Sequence, residues 1–176
     1  MNPPPADQPA DQPDSRADSP LGGRLRVADF PRPPAIERET RPIRIVLGGV
    51  AIADARGAWR ILETTHPPTY YLPPDAFRAD AVEASDRRSF CEWKGVARYV
   101  TLVGGGRRAR DAGWFYPSPS PAYAALRDHI AVYAGRMDAC FVGEERVVPQ
   151  PGGFYGGWIT SELIGPFKGA PGTEGW

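Results

Sequence analysis

The chain has 176 residues, with 21 Lys+Arg set against 21 Asp+Glu, so its formal net charge is zero. That balance argues against a general electrostatic nucleic-acid binder, which would be basic. Pro and Gly together supply 41 residues, which excludes a long helical bundle, while 19 aromatic side chains and a 41% hydrophobic share exclude a wholly disordered chain.

Residues 1–20 carry four Asp against one Arg and repeat ADQP, and nine of the 21 prolines but only one aromatic, Phe30, fall in residues 1–40. Such a stretch buries too little apolar surface to offset its ordering entropy, so residues 1–38 read as a disordered arm. The other reading is a docking arm that lays Leu21, Leu25, Val27 and Phe30 on a surface. There is no basic start followed by an apolar run, so no signal peptide is expected. The longest apolar stretch, residues 45–55, falls short of the roughly 20 residues of a membrane helix. A cytoplasmic protein without a membrane partner is the expectation.

From residue 39 onward the pattern is strand-like. Segments 43–47 and 50–53 flank Gly48-Gly49, a two-residue hairpin signal, because glycine accepts positive φ at both turn positions. Residues 59–63 alternate apolar and polar side chains, and 70–72 are aromatic-rich before Pro73-Pro74. Residues 96–103 read as a strand that turns at Gly104-Gly105-Gly106, and Trp114 to Tyr116 as a short strand stopped by Pro117. Ser120-Pro121 opens the one expected helix, 121–127, with Ser as N-cap and Pro at the first position. Residues 130–133 suit a strand, and 137–142 with 146–148 form a last hairpin that resembles the first. Residues 149–176 hold eight glycines, four prolines and five aromatics, which predicts a strap anchored on the domain by Trp158, Ile159, Leu163 and Ile164, either as packing or as a lid. The fold class expected is mainly β, antiparallel, with one short helix.

Chemistry concentrates in two places. The chain has 19 arginines but only two lysines, and both stand in aromatic-Lys-Gly: Trp93-Lys94-Gly95 and Phe167-Lys168-Gly169. A Lys next to Gly presents an ammonium beside an open backbone amide, which suits a carboxylate or phosphate. Cys91 precedes Lys94 by three residues; it is a nucleophile if a turn brings the two together, and otherwise a small buried apolar group. The second place is Glu63-Thr-Thr-His66-Pro-Pro-Thr-Tyr70-Tyr71, where Glu63 and His66 on a proline-stiffened loop suit proton transfer and one tyrosine hydroxyl reaches a pocket. His129 has no nearby partner and reads as structural. One His with one Glu is a poor metal set, and Cys91 and Cys140 form no CxxC pair, so no metal ligands are assigned. Gly104-Gly105-Gly106 lacks the Lys-Ser/Thr and the helix of a phosphate loop and reads as a hairpin turn.

The stretches IRIVLGGVAIADA, LETTHPPTYYLPPDAF, FCEWKGVARYVTL, AGWFYPSPSPAY and HIAVYAGRMDACFVGEERV, in this order over residues 41–148, resemble the bacterial domain of unknown function numbered 427. The tail GGFYGGWITSELIGPFKGAPGTEGW looks like an extension carried by one subgroup. The resemblance implies a β-tent-like domain and marks Glu63, His66, Tyr70, Tyr71, Cys91, Lys94, Gly95, Trp114 and Tyr116 as family-like positions. The family carries a nucleotidyltransferase-like label, but the Gly-Ser with paired aspartates of that chemistry is missing here. The reading is a pocket for an anionic or nucleotide-like small molecule. Lys94, Cys91, Glu63 and His66 are its candidate catalytic groups, and Tyr70, Tyr71, Trp93, Gly95, Trp114 and Tyr116 its candidate binding groups. The alternative is a non-catalytic aromatic cage for a peptide or modified side chain.

Overall fold

The computed structural model describes residues 23–176; the acidic ADQP repeat and Leu21 lie outside the described residues. In chain order the strands are β1 (Leu25–Arg26), β2 (Ala35–Glu39), β3 (Ile43–Leu47), β4 (Val50–Ala55), β5 (Ala58–Leu62), β6 (Thr69–Tyr71), β7 (Val82–Cys91), β8 (Gly95–Gly104), β9 (Arg107–Phe115), β10 (Ala131–Val132), β11 (Ala139–Val142), β12 (Glu145–Arg146), β13 (Val148–Pro149), β14 (Trp158–Ile159) and β15 (Leu163–Ile164). They form small sheets, ordered β10-β9-β8-β7, β12-β11-β3-β4 and β2-β5-β6, with β1-β15 and β13-β14 as two-stranded pairs. Among the strand pairs of the described residues only β1-β15 is parallel, so the fold is mainly antiparallel β, as the sequence predicts.

The first hairpin forms where the sequence places it, with Gly48 and Gly49 at φ +61° and +76°. Its look-alike segment folds back against it: β11 pairs with β3, with Cys140 opposite Ile45. The Gly104–Gly106 turn joins β8 to β9 and presses on the Gly48 turn so closely that a Cβ at Gly105 would strike the Gly48 backbone. This glycine run therefore faces another turn of the same chain.

Strand alternation creates two interiors. On β8, Val100 and Leu102 enter the main core beside Ile45, Leu47, Ile52 and Leu72. Ala97 and Tyr99 point the other way, into a second cluster with Ile61, Tyr71, Trp114, Tyr116 and Tyr123. The same split runs through the β5-β6 pair. Arg60 lies opposite Tyr70, whereas Trp59 and Tyr71 lie opposite each other on the reverse face. β7, VEASDRRSFC, has no legible apolar period because it is an edge strand with much of its surface in solvent.

Three expectations need correction. First, residues 25–38 are not a disordered arm. Val27 is fully buried and Phe30 is 8% exposed, packed with Leu62 and Leu163. β2 lies alongside β5 in register from Ala35 to Glu39. Few apolar residues suffice here because long-range partners receive them. Second, segment Pro121–Leu126 is 3-10 rather than α, and it is broken at Tyr123. The Ser120 hydroxyl donates to the Trp93 carbonyl instead of capping, and the Tyr123 hydroxyl donates to the Pro34 carbonyl at 2.7 Å, so tertiary bonds replace the helical ladder. Third, Trp114 to Tyr116 is not a separate strand: Trp114 and Phe115 end the long β9.

A buried polar network ties the strap to the sheet. Arg60, 1% exposed, reaches Glu37 at 3.0 Å and Glu162 at 3.2 Å. Arg41 binds Glu39 through Nε at 2.9 Å and Glu162 through Nη2 at 2.7 Å. Burial alone would raise the Glu39 pKa, but hydrogen bonds and charge from Arg41, with the Arg60 charge, hold it below the ordinary carboxylate value. The strap is packed as expected: Trp158 is fully buried and donates its indole N–H to the Val132 carbonyl at 2.9 Å. Leu163 is buried, Ile159 and Ile164 are half-buried, and Trp176 is exposed.

Candidate functional site

A cleft of about 630 Å³ opens over the second aromatic cluster, between the Trp59–Tyr71 face of β5-β6, the end of β7 with its turn, and the strap. Glu63, His66, Cys91, Lys94, Tyr71, Trp93, Trp114 and Tyr116 all line it. Two candidates do not. Tyr70 points into the main core, fully buried against Trp158 with ring centroids 5.1 Å apart, because one residue along a strand reverses the face. Its burial pushes the phenol pKa up to about 12, and its hydroxyl finds no hydrogen-bond partner among the described residues. Gly95 carries φ +100° and closes the Glu92-Trp93-Lys94 turn between β7 and β8; it shapes the backbone and does not line the cleft.

At one end of the cleft the β7-β8 turn carries Lys94, only 7% exposed. Its Nζ lies 5.9 Å from the centroids of both the Tyr116 and Tyr123 rings. Among the described residues no carboxylate comes within ion-pair distance of it. Tyr71 and Tyr116 form the neighbouring wall, 6.3 Å apart, and burial pushes both phenols far above their ordinary value, so they stay neutral near pH 7. Trp114 packs on Tyr133 at 4.6 Å. Cys91, half-buried, sits on this wall, whereas Cys140 is buried in the main core and its thiol is pushed up by burial.

The other end is built from the His66 loop and the strap. Thr65 takes φ +70°, a strained conformation for a β-branched residue. The loop is clamped from both sides. Thr65 N–H donates to the Val27 carbonyl and Lys168 N–H to the Thr65 carbonyl, each at 2.9 Å. Thr64 Oγ1 donates to the Phe30 carbonyl. The stretch that reads as an arm in the sequence thus holds the loop of a candidate site. The His66 imidazole packs edge-on against Tyr155 at 4.7 Å, with Gln150 Nε2 3.0 Å from its Nδ1. Burial lowers the His66 pKa; Glu63 opposes this and Lys168 adds to it. Lys168 Nζ stands 5.2 Å above the Tyr155 ring, and Arg32 pairs with Glu63 at 3.5 Å.

Four basic side chains, Arg32, Arg87, Lys94 and Lys168, therefore face two acidic ones, Glu63 and Glu92, around one aromatic cleft. The excess of positive charge suits an anion. Lys168 has a signal in the sequence, since it repeats the aromatic-Lys-Gly of Lys94. Gln150 and Arg32 have none. Among the described residues no three His, Cys, Asp or Glu side chains gather as a metal-holding group, and no helix is long and apolar enough to cross a membrane.

Strands β2 to β11 and most of the cleft lie within residues 35–143, the stretch matched by the family model described as a Domain of unknown function (DUF427). The chain belongs to that family. The strap, with Gln150, Tyr155 and Lys168, lies beyond the matched residues. No curated protein matches the chain.

Proposed function

We propose that the cleft binds a small anionic ligand with a planar or aromatic part, and that Glu63 and His66 are placed for proton transfer to it. The observation that carries this reading is that the only two lysines of the chain, 74 residues apart, line the same aromatic cleft. Apolar walls with a few convergent polar groups are the usual make-up of a small-molecule site. Lys94 would anchor the anionic group, and Tyr71, Trp93, Trp114 and Tyr116 would enclose the flat part. A nucleotide-like molecule is one member of this class.

Native mass spectrometry of freshly purified protein tests the proposal. A co-purifying anionic mass that disappears in Lys94→Ala while the variant stays folded is the expected result. A clean mass under mild conditions, with no binding from a panel of aromatic acids and nucleotides, sinks it. The second reading, an aromatic cage without catalysis, draws on the same rings. Tyr116 and Tyr123 already hold the Lys94 ammonium, which favours the anion site over a cage for a cationic side chain. Binding that survives Lys94→Ala but is lost with Trp114→Ala would reverse that preference.

A further inference from the structure

The strap end of the cleft supports a sharper statement that rests on the anion-site reading. Gln150 is 4% exposed, and two backbone groups fix which way its amide points. Its Oε1 accepts from the Gly157 N–H at 3.0 Å, and its Nε2 donates to the Lys168 carbonyl at 3.0 Å. A flipped amide would set oxygen against the Lys168 carbonyl and nitrogen against the Gly157 N–H, losing both bonds. Nε2 is thus the group that meets His66 Nδ1 at 3.0 Å, and it can only donate. Nδ1 must then carry a lone pair, which leaves the proton of the neutral ring on Nε2. Among the described residues Nε2 has no hydrogen-bond partner, nor is it a sealed orphan of the interior. The charged groups around the ring are Glu63 and Arg32 on one side and Lys168 on the strap, with the neutral Tyr155 ring packed against it.

We propose that Gln150 is a positioning residue that holds His66 as a neutral donor through Nε2, and that this end of the cleft, with Lys168 beside it, is a subsite for a ligand oxyanion, a carboxylate or phosphate oxygen. A ligand presenting a donor at this point finds no acceptor on the ring. In this state Nε2–H donates a hydrogen bond to the ligand oxyanion and keeps its proton, and Nδ1, occupied by Gln150, takes none from it. His66 can give a proton to the ligand only once the ring is protonated to imidazolium.

Long-range ¹H–¹⁵N correlation spectra of the wild-type protein test this directly, since the chain has only two histidines and His129→Gln identifies the other. Near pH 7 the expected His66 pattern is a protonated Nε2 and an unprotonated Nδ1. A proton on Nδ1 overturns the proposal with or without a ligand. Gln150→Leu is expected to mix the two tautomers. Gln150→Glu is expected to raise the His66 midpoint by about one pH unit or more, through the carboxylate beside the ring. A midpoint unmoved in a folded Gln150→Glu protein counts against the positioning role. Titration with inorganic phosphate, and separately with acetate, is expected to shift His66 Nε2–H, and the stronger responder identifies the preferred oxyanion. Shifts confined to the Trp93 indole, at the Lys94 end, overturn the subsite while leaving the anion-binding cleft in place. Shifts at neither position overturn both.

Discussion

Gly156 lies so close to Trp114 that a Cβ there would fall on the indole ring. The strap can pass over the cleft wall only where it has no side chain, so Gly156→Ala forces Trp114 or the strap to move. Overpacking of this kind costs about 1–3 kcal/mol, and a lower urea midpoint with an altered tryptophan emission is the expected outcome. At the same scale, Tyr70 and Tyr71 show where the sequence stops informing. An aromatic pair in a strand guarantees that one ring faces each side, but the faces are named only once Arg60 and Trp59 take their places opposite. Glu63, His66, Cys91 and Lys94 were legible as candidates, and all four line the cleft. Gln150 was not, because its meaning comes from an imidazole 84 residues away.

Among the elements, β2, β5 and the strap are held together by charge at a buried junction. Replacing Arg60 with Leu leaves Glu39 and Glu162 facing only Arg41. A buried pair that loses one partner costs about 3–5 kcal/mol, measured as a loss of unfolding free energy in urea at pH 7. The pH dependence has a defined sign. The folded pKa of Glu39 lies below its ordinary 4.5, so its contribution is complete above that value and is lost as pH falls toward the folded pKa. The acid limb of a stability–pH curve is therefore expected to flatten below about pH 4.5 in Glu39→Gln. An unchanged limb would show that other carboxylates carry the acid sensitivity. Segments 43–47 and 96–103 were legible because the first buries one continuous face and the second packs both of its faces against a cluster. β7 was not, since an edge strand needs no such face, and neither was β1, whose two residues acquire an identity only by pairing with Leu163 and Ile164.

Over the whole molecule, both flanks of the family-matched region fold back onto the His66 loop, one supplying Val27 and Phe30 and the other Gln150 and Lys168. The first flank could not be placed from its own composition, being too poor in aromatics, whereas the aromatics of the strap showed that it packs on the domain but not on which loop. The arrangement predicts that the strap exchanges as part of the core. The amide of Trp158, bonded to the Pro68 carbonyl at 2.8 Å, is expected to show hydrogen-exchange protection comparable to β3 and β8. The exposed Gly152-Gly153-Phe154 tip is expected to exchange quickly. Fast exchange at Trp158 would instead describe a strap that opens on its own.

The unequal burial of the two thiols gives the protein a built-in attachment point. Cys140 is closed off in the main core, while Cys91 stands on the cleft wall. A small thiol reagent should therefore modify one cysteine in the native protein and two after denaturation. A fluorophore carried at Cys91 would report on occupancy of the cleft without engineered mutations, and protection of that single thiol would give a way to screen for ligands whose identity is not known in advance.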